Sequence, residues 1–245
     1  MLSLGKSAPG ADDDHLRHWE TDFYRVRGFA CCDSGEERTL EVTSQILPRV
    51  QRGCFVNDIR MPVSRFVGML PTVTFLPRDL DLFTGAPAER RRFLDQLLCQ
   101  VSPPYMESLS TYQKVLKQRN ALLKRIAQGM ASEGDLEPWD IALSKEGAVI
   151  TSIRLELIET FGLSLTAELQ SLGESWRNIH FSYERATEET SCGVLASELQ
   201  TRLAANHARD VLLQTTTIGP HREDWMLLVE GHHLGDIGSR GQQRV

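Results

Sequence analysis

A short run of small polar residues at the end of the chain could bind a phosphate group. Residues 238–245 read Gly-Ser-Arg-Gly-Gln-Gln-Arg-Val and follow a strand-like stretch at 225–230. Ser239 and Gly241, with Gln242 and Gln243, would present polar groups and backbone N–H groups at the start of a helix. Such a position binds phosphate because the helix dipole is positive there and the first N–H groups lack partners. The alternative is a glycine-rich tail that frays.

A second candidate is the turn formed by Gly219, Pro220, His221 and Arg222. It presents a histidine and an arginine between two stretches rich in β-formers. The forked guanidinium of arginine suits phosphate or carboxylate groups. In the alternative interpretation, His221 and Arg222 hold the turn together by hydrogen bonds.

The third candidate is a basic stretch on a predicted long helix. Between residues 113 and 125 the charged side chains are all cationic: Lys114, Lys117, Arg119, Lys124 and Arg125. Such a cluster can follow a nucleic-acid backbone, with an affinity that falls as salt rises. A solvated helix face is the ordinary alternative.

Three adjacent arginines form the fourth candidate. Arg90, Arg91 and Arg92 lie near the start of a predicted helix, where positive charge opposes the helix dipole. The sequence therefore predicts that an anionic or acidic group faces them.

Composition narrows the class of protein. The 245 residues are 41% hydrophobic and 24% charged, with a net charge of −6. This is ordinary for a globular protein, and nucleic-acid binding would have to come from a local patch. No apolar run approaches the ~18 residues that suggest a membrane span. The five cysteines follow no framework spacing, which predicts a reducing, cytoplasmic setting and no disulfides.

Periodicity predicts how these candidates are positioned. Alternating residues at 22–44 and 50–63, with turns at Asp33-Ser34-Gly35 and Asn57-Asp58, predict an antiparallel β lobe that a further strand at 71–76 completes. Helical spacing then predicts a helix from 88, a long helix opened by Pro103-Pro104 and a long return helix reaching Leu172. The remaining elements are strands at 178–183, 211–217 and 224–229 and a helix at 194–208. The predicted divisions are a β-rich lobe at 1–84, a helical arm at 85–175 and a strand-rich return at 176–245.

Together these stretches resemble the RecF family of bacterial DNA replication and repair ATPases, which are of the SMC/ABC type. The resemblance covers nearly the whole chain in the right order and rests on FLPRDLDLFTGAPAERRRFLD at 75–95, LKQRNALLK at 116–124, TIGPHRED at 217–224 and GSRGQQR at 238–244.

The resemblance implies an α+β fold: an incomplete ABC/SMC-type P-loop ATPase head with an antiparallel β lobe and an inserted antiparallel helical arm. The family's Walker A loop would precede Met1 and its Walker B strand would follow Val245, so the chain is expected to be an internal portion that does not hydrolyse ATP alone. Ser239, Gly241, Gln242 and Gln243 match the family's signature motif, which contacts ATP held by a partner subunit. His221 and Arg222 of the preceding turn are predicted to contact the same nucleotide. ATP, with Mg²⁺ in the complete protein, would thus drive formation of a homodimer.

The resemblance also implies partners and a role. Family members act at single-stranded gaps and junctions in DNA, support recombinase loading with RecO and RecR, and take part in the SOS response. A non-catalytic DNA- or protein-binding helical arm module is the main alternative. The head of another SMC-like repair ATPase is a third, which the short arm disfavours because that class carries far longer coiled coils.

Overall fold

A four-stranded antiparallel sheet dominates the first part of the computed structural model. The structure describes residues 1–6, 13–32, 35–45, 49, 51–171, 176, 178–185 and 190–238. The strands pair in sequence order: β1 (Phe23–Cys31), β2 (Glu37–Gln45), β3 (Gln51–Val56) and β4 (Ile59–Met61). At the β3–β4 turn, Asn57 and Asp58 have φ of 49° and 62°. Two successive positive φ angles are typical of the tight type I′ turn that joins antiparallel strands. The hairpins predicted between residues 22 and 63 are confirmed.

One face of this sheet is buried because alternate residues of β2 and β3 are apolar. Leu40, Val42 and Cys54 form a core with Phe66 of the short helix α1 (Val63–Phe66). Met1 and Leu2 pack against the same core with other partly buried side chains.

The strand predicted at residues 71–76 is wrong. These residues adopt no regular secondary structure, and Val73 and Phe75 are exposed. The Thr72 N–H donates to the Gln100 side chain at 3.0 Å instead of to a neighbouring strand. An apolar run forms a strand only where a second strand satisfies its backbone, and none in the described part of the chain pairs with this one.

Three helices follow: α2 (Pro87–Val101), α3 (Pro103–Ala127) and α4 (Glu137–Ser171). Prolines occupy the starts of α2 and α3, where an N–H group would lack a helical partner in any case. α3 and α4 run antiparallel: Arg119 pairs with Asp140 near the start of α4, whereas Tyr112, two turns earlier, lies against Gly147, two turns later. The predicted helical hairpin is confirmed.

A second antiparallel sheet follows the hairpin. It has the order β5 (Ile179–Glu184), β6 (Asp224–Val229) and β7 (His232–His233). Its core includes Trp225 and Leu227 of β6, Leu94 of α2 and Ile158 of α4. The remaining helices are α5 (Cys192–Ala205), α6 (His207–Leu213) and α7 (Leu234–Ile237). Short 3-10 helices lie at Asp13–Leu16, Pro77–Leu82 and Glu133–Leu136.

The strand predicted at 211–217 is also wrong, since Val211 to Leu213 belong to α6. The helix ends at Gln214, whose φ of 53° is left-handed. Beyond it, side chains satisfy the backbone in place of a strand: Thr216 N donates to Asn120 at 2.8 Å, and Thr217 N to Asp210 at 3.0 Å.

Proximity between Cα atoms divides the chain into two compact units. The first comprises Met1–Thr74 and Gln96–Met106, and the second Phe75–Asp95 and Glu107–Val245. The three-part division from the sequence stays a prediction. The architecture is α+β, as predicted, with two antiparallel sheets and long helices.

Candidate functional site

The turn at Gly219–Arg222, which we call the GPHR turn, lies between α6 and β6. The Arg222 N–H donates to the Gly219 carbonyl at 2.8 Å and closes the turn. Gly219 has a φ of 130°, and a Cβ atom there would clash with the Tyr112 hydroxyl. Both observations require glycine, because L side chains rarely adopt this backbone conformation.

His221 is held by hydrogen bonds at both ring nitrogens. Its Nε2 lies 3.1 Å from the Thr216 carbonyl, which can only accept, so Nε2 carries the proton and donates. Nδ1 therefore accepts from the Tyr112 hydroxyl at 2.6 Å. Burial, with a smaller contribution from the Arg222 and Arg91 guanidiniums, lowers the pKa of His221 to about 4. His221 is thus neutral at pH 7 and bonded within the protein.

Arg222 also holds the turn, although it is exposed. Its Nε and Nη2 atoms lie 3.3 and 3.2 Å from the Thr216 carbonyl. The geometry therefore fits the alternative interpretation, in which His221 and Arg222 tie down the turn. Contact with a nucleotide stays a prediction for Arg222, whereas both nitrogens of His221 are already engaged.

Side chains from three further elements converge on the turn. Arg154 of α4 donates to the Pro220 carbonyl at 2.8 Å and to Asp95 of α2 at 2.7 Å. Glu223 accepts from Thr151 of α4 at 3.0 Å and from Tyr183 of β5 at 2.9 Å. The turn is therefore a junction between α2, α4 and the second sheet, at which Gly219 and Pro220 are buried.

The first of the three adjacent arginines has an acidic partner, as the sequence predicted. Arg90 donates from Nε and Nη2 to the Asp224 carboxylate at 2.9 and 2.6 Å, and both side chains are buried. Arg91 donates to the Glu223 carbonyl at 3.0 Å. Arg92 lies 3.6 Å from Glu89, one helical turn earlier. Burial of opposite charges in this fork geometry is favourable only with such complete hydrogen bonding.

Arg119 is not part of an exposed basic face, so its place among the predicted DNA contacts is wrong. The residue has 0% exposure. Its Nε donates to Asp140 at 2.7 Å, and its Nη1 donates to Asp210 at 2.7 Å and to Thr216 at 2.8 Å. Two buried carboxylates therefore bind this guanidinium, which links α3, α4 and α6.

The other four residues of the basic stretch are exposed: Lys114, Lys117, Lys124 and Arg125. Because an α-helix turns by about 100° per residue, these four share one side of α3, and Arg119 falls on the other with Tyr112 and Leu123. We call the four exposed residues the α3 basic face. Their contact with DNA stays a prediction.

The terminal run Ser239, Gly241, Gln242 and Gln243 lies outside the described residues, so its predicted role as a nucleotide contact also stays a prediction. Within the described ranges, His, Cys, Asp and Glu side chains do not gather in groups of three or more that could hold a metal ion. Nor does any helix described by the structure have the length and apolar character needed to cross a membrane.

Similarity to known proteins covers the whole length of the chain. The DNA replication and repair protein RecF of Geobacillus thermodenitrificans is 34% identical to it, over 100% of this chain and 66% of the relative. The protein of the same name from Moorella thermoacetica is 31% identical, over 100% of this chain and 63% of the relative. The chain belongs to the RecF family. No family model matches it.

Solved RecF structures share the fold. The recombination mediator protein RecF with ATPrS, from the RecFOR pathway, superposes with a TM-score of 0.91 at 27% identity, covering 99% of this chain and 66% of that one. The corresponding RecF-ATP structure gives 0.89 at 26% identity, covering 99% and 65%. The fold is therefore that of the RecF type of ABC/SMC-like ATPase. The chain spans about two thirds of the length of these RecF proteins.

Sequence reasoning missed several residues of the polar networks around Arg90, Arg119 and the GPHR turn: Tyr112, Asp140, Arg154, Asp210 and Asp224. One signal was available, because Arg119 interrupts the apolar stripe of α3 at a position whose spacing is that of a buried residue. A buried arginine requires carboxylate partners, and these come from distant segments that spacing alone cannot identify.

Proposed function

We propose that this chain is a DNA replication and recombinational repair protein of RecF type, and that it binds DNA through the α3 basic face. The observation that carries the proposal is the segregation of charge on α3. Arg119 is buried with two carboxylates, whereas Lys114, Lys117 and Lys124 are exposed to solvent. Membership of the RecF family makes DNA the expected ligand of these lysines. Exposed cations along one helix side, within a stretch at 113–125 that holds no acidic residue, suit the phosphates of a nucleic-acid backbone.

The proposal includes nucleotide binding. The names of the two similar structures include ATP and ATPrS. In this chain the proposed contacts are Ser239, Gly241, Gln242 and Gln243, with Arg222 as an exposed guanidinium nearby in sequence. His221 is left out because both of its ring nitrogens bond inside the protein. ATP, with Mg²⁺ in the complete family protein, would join two subunits.

The cellular role follows from the same family. The chain would act in the cytoplasm, at single-stranded gaps, as part of an ATP-dependent DNA clamp that supports recombinase loading with RecO and RecR and the SOS response. The link to the RecFOR pathway that the similar structures carry in their names supports this role. The alternative, a non-catalytic DNA- or protein-binding arm module, predicts the same DNA contacts without any effect of ATP.

Replacing Lys114, Lys117 and Lys124 together with alanine tests the DNA contact. Log affinity falls with log salt, and each lost phosphate contact makes this slope shallower by about 0.7–0.9. We therefore expect the magnitude of the slope to decrease by about two to three. Fluorescence anisotropy with labelled gapped DNA measures this slope. Lys145→Ala, an exposed lysine of α4, is the matched control. An unchanged slope in the triple variant would remove the α3 basic face from the DNA site.

The same titration with ATP tests the nucleotide contact. In a RecF homologue that carries the Walker A loop, ATP is expected to tighten DNA binding, and the change equivalent to Ser239→Arg is expected to remove that effect. Equal affinities with and without ATP in both proteins would favour the non-catalytic arm module.

A further inference from the structure

Two of the three adjacent arginines line a cleft. Whereas Arg90 is neutralised by Asp224, Arg91 and Arg92 lie at a half-open cleft of about 180 Å³ between α2, α3, α4 and the GPHR turn. Apolar side chains form most of its wall: Ala88, Leu109, Leu116, Ile150 and Pro220. The charged groups at its surface are mainly cationic.

The charged side chains that line the cleft leave an excess of positive charge. Arg91, Arg92 and Arg154 line it with a single carboxylate, Asp95, which accepts from Arg154 at 2.7 Å. Glu89, outside the lining, lies 3.6 Å from Arg92. The Glu223 side chain accepts from Thr151 and Tyr183, and His221 is neutral at pH 7.

Crowding of cations is also apparent at Arg91. Burial lowers its pKa, and the neighbouring Arg154 and Arg222 guanidiniums lower it further, with Asp224 and Asp95 partly offsetting them. An anion in the cleft would relieve this repulsion. The attraction between such an anion and the arginines would be strong because the apolar walls keep the local dielectric constant low.

The size of the cleft suits one charged group. Pockets that enclose whole small molecules occupy about 300–1,000 Å³, and this cleft is smaller. At about 30 Å³ per water molecule it holds the volume of about six waters, enough for one phosphate group entering from solvent. Arginine forks match the oxygens of phosphate in pairs.

We propose that this cleft binds a backbone phosphate of DNA and extends the DNA-contacting surface from α3 to α2. Gln113 of α3 lines the cleft, and Lys117 lies one helical turn beyond it, so the two surfaces adjoin. The inference rests on the proposed function, since it adds a second contact to DNA bound at the α3 basic face.

Arg92→Gln tests the proposal. Arg92 is partly exposed and makes only a long ion pair with Glu89, so the variant is expected to fold with an unchanged circular dichroism spectrum and melting temperature. We expect the salt slope of DNA binding to fall by about one and the affinity at low salt to fall several-fold. Arg60→Gln, which makes the same charge change at an exposed arginine of β4, is the control and leaves both unchanged.

Three outcomes distinguish the possibilities. If Arg92→Gln keeps the wild-type salt slope while the slope of the triple lysine variant decreases in magnitude by about two to three, the cleft proposal fails and the proposed DNA contact at the α3 basic face stands. If neither changes the slope, the proposed function fails as well. If Arg92→Gln leaves DNA binding intact but abolishes retention of inorganic phosphate in equilibrium dialysis, the cleft takes free phosphate and the proposal of a DNA contact is overturned.

Discussion

The two faces of α3 both carry cations, and their surroundings differ in every respect. On one face Arg119 is enclosed, with Asp140 and Asp210 at 2.7 Å. The other face is the α3 basic face. Its four cations are exposed, and the stretch at 113–125 that contains them has no acidic residue. A buried cation needs fixed anions to offset its lost hydration, whereas an exposed cation keeps its water until a ligand replaces it. The first arrangement can hold a fold together, and the second is available for binding.

The largest effect is expected from breaking the buried arrangement. Arg119→Met leaves two buried carboxylates without their shared guanidinium, and removing one partner of a buried ion pair typically costs about 3–5 kcal/mol. Urea denaturation followed by circular dichroism measures the free energy of unfolding. Lys117→Met, on the exposed face of the same helix, is the matched control and should change it by less than about 0.5 kcal/mol. Equal losses in both variants would contradict the division between the faces.

A smaller effect is expected from pH on the buried side, where Tyr112 of α3 holds His221. Because the pKa of His221 falls from its ordinary 6.5 to about 4, the unfolded chain binds a proton at a higher pH than the folded protein does. This contribution to stability is therefore fully present above pH 6.5 and is lost as pH falls toward 4. Between pH 6.5 and 5 the loss is roughly 2 kcal/mol, at about 1.4 kcal/mol per pKa unit.

The comparison with His221→Gln isolates this histidine from other groups that titrate in acid. Over the same pH interval the variant should lose about 2 kcal/mol less stability than the wild-type chain. Parallel pH profiles of the two proteins would show that the His221 ring is hydrated in the folded state, against the bonding described for the GPHR turn.

The sequence predicted local structure well where local chemistry decides it. Alternation in β1 and β2, the Asn57-Asp58 turn and the prolines at the starts of α2 and α3 each act through neighbouring residues. The failures involve distant partners. Val73 and Phe75 have strand-forming character but no pairing strand among the described residues. Thr216 and Thr217 bond to Asn120 and Asp210 instead of joining a sheet.

The candidate site shows the same limit. The GPHR turn and the basic stretch of α3 were recognisable as motifs, but charge alone grouped Arg119 with the lysines. Its helical position separates it from them, and its partners Asp140 and Asp210 lie 21 and 91 residues away. The cleft beside Arg91 and Arg92 depends on the packing of three helices, which no local pattern encodes.

The central claim is that the exposed face of α3 meets DNA, and lysine footprinting tests it most directly. The chain's lysines are Lys114, Lys117 and Lys124 on this face, with Lys6 and Lys145 elsewhere, so every other lysine is an internal control. Acetylation followed by peptide mass spectrometry, with and without gapped DNA at low salt, reports the accessibility of each amine. We predict that DNA slows acetylation of the three α3 lysines and leaves Lys6 and Lys145 unchanged. Uniform protection of all five, or protection of Lys6 or Lys145 alone, would contradict the account.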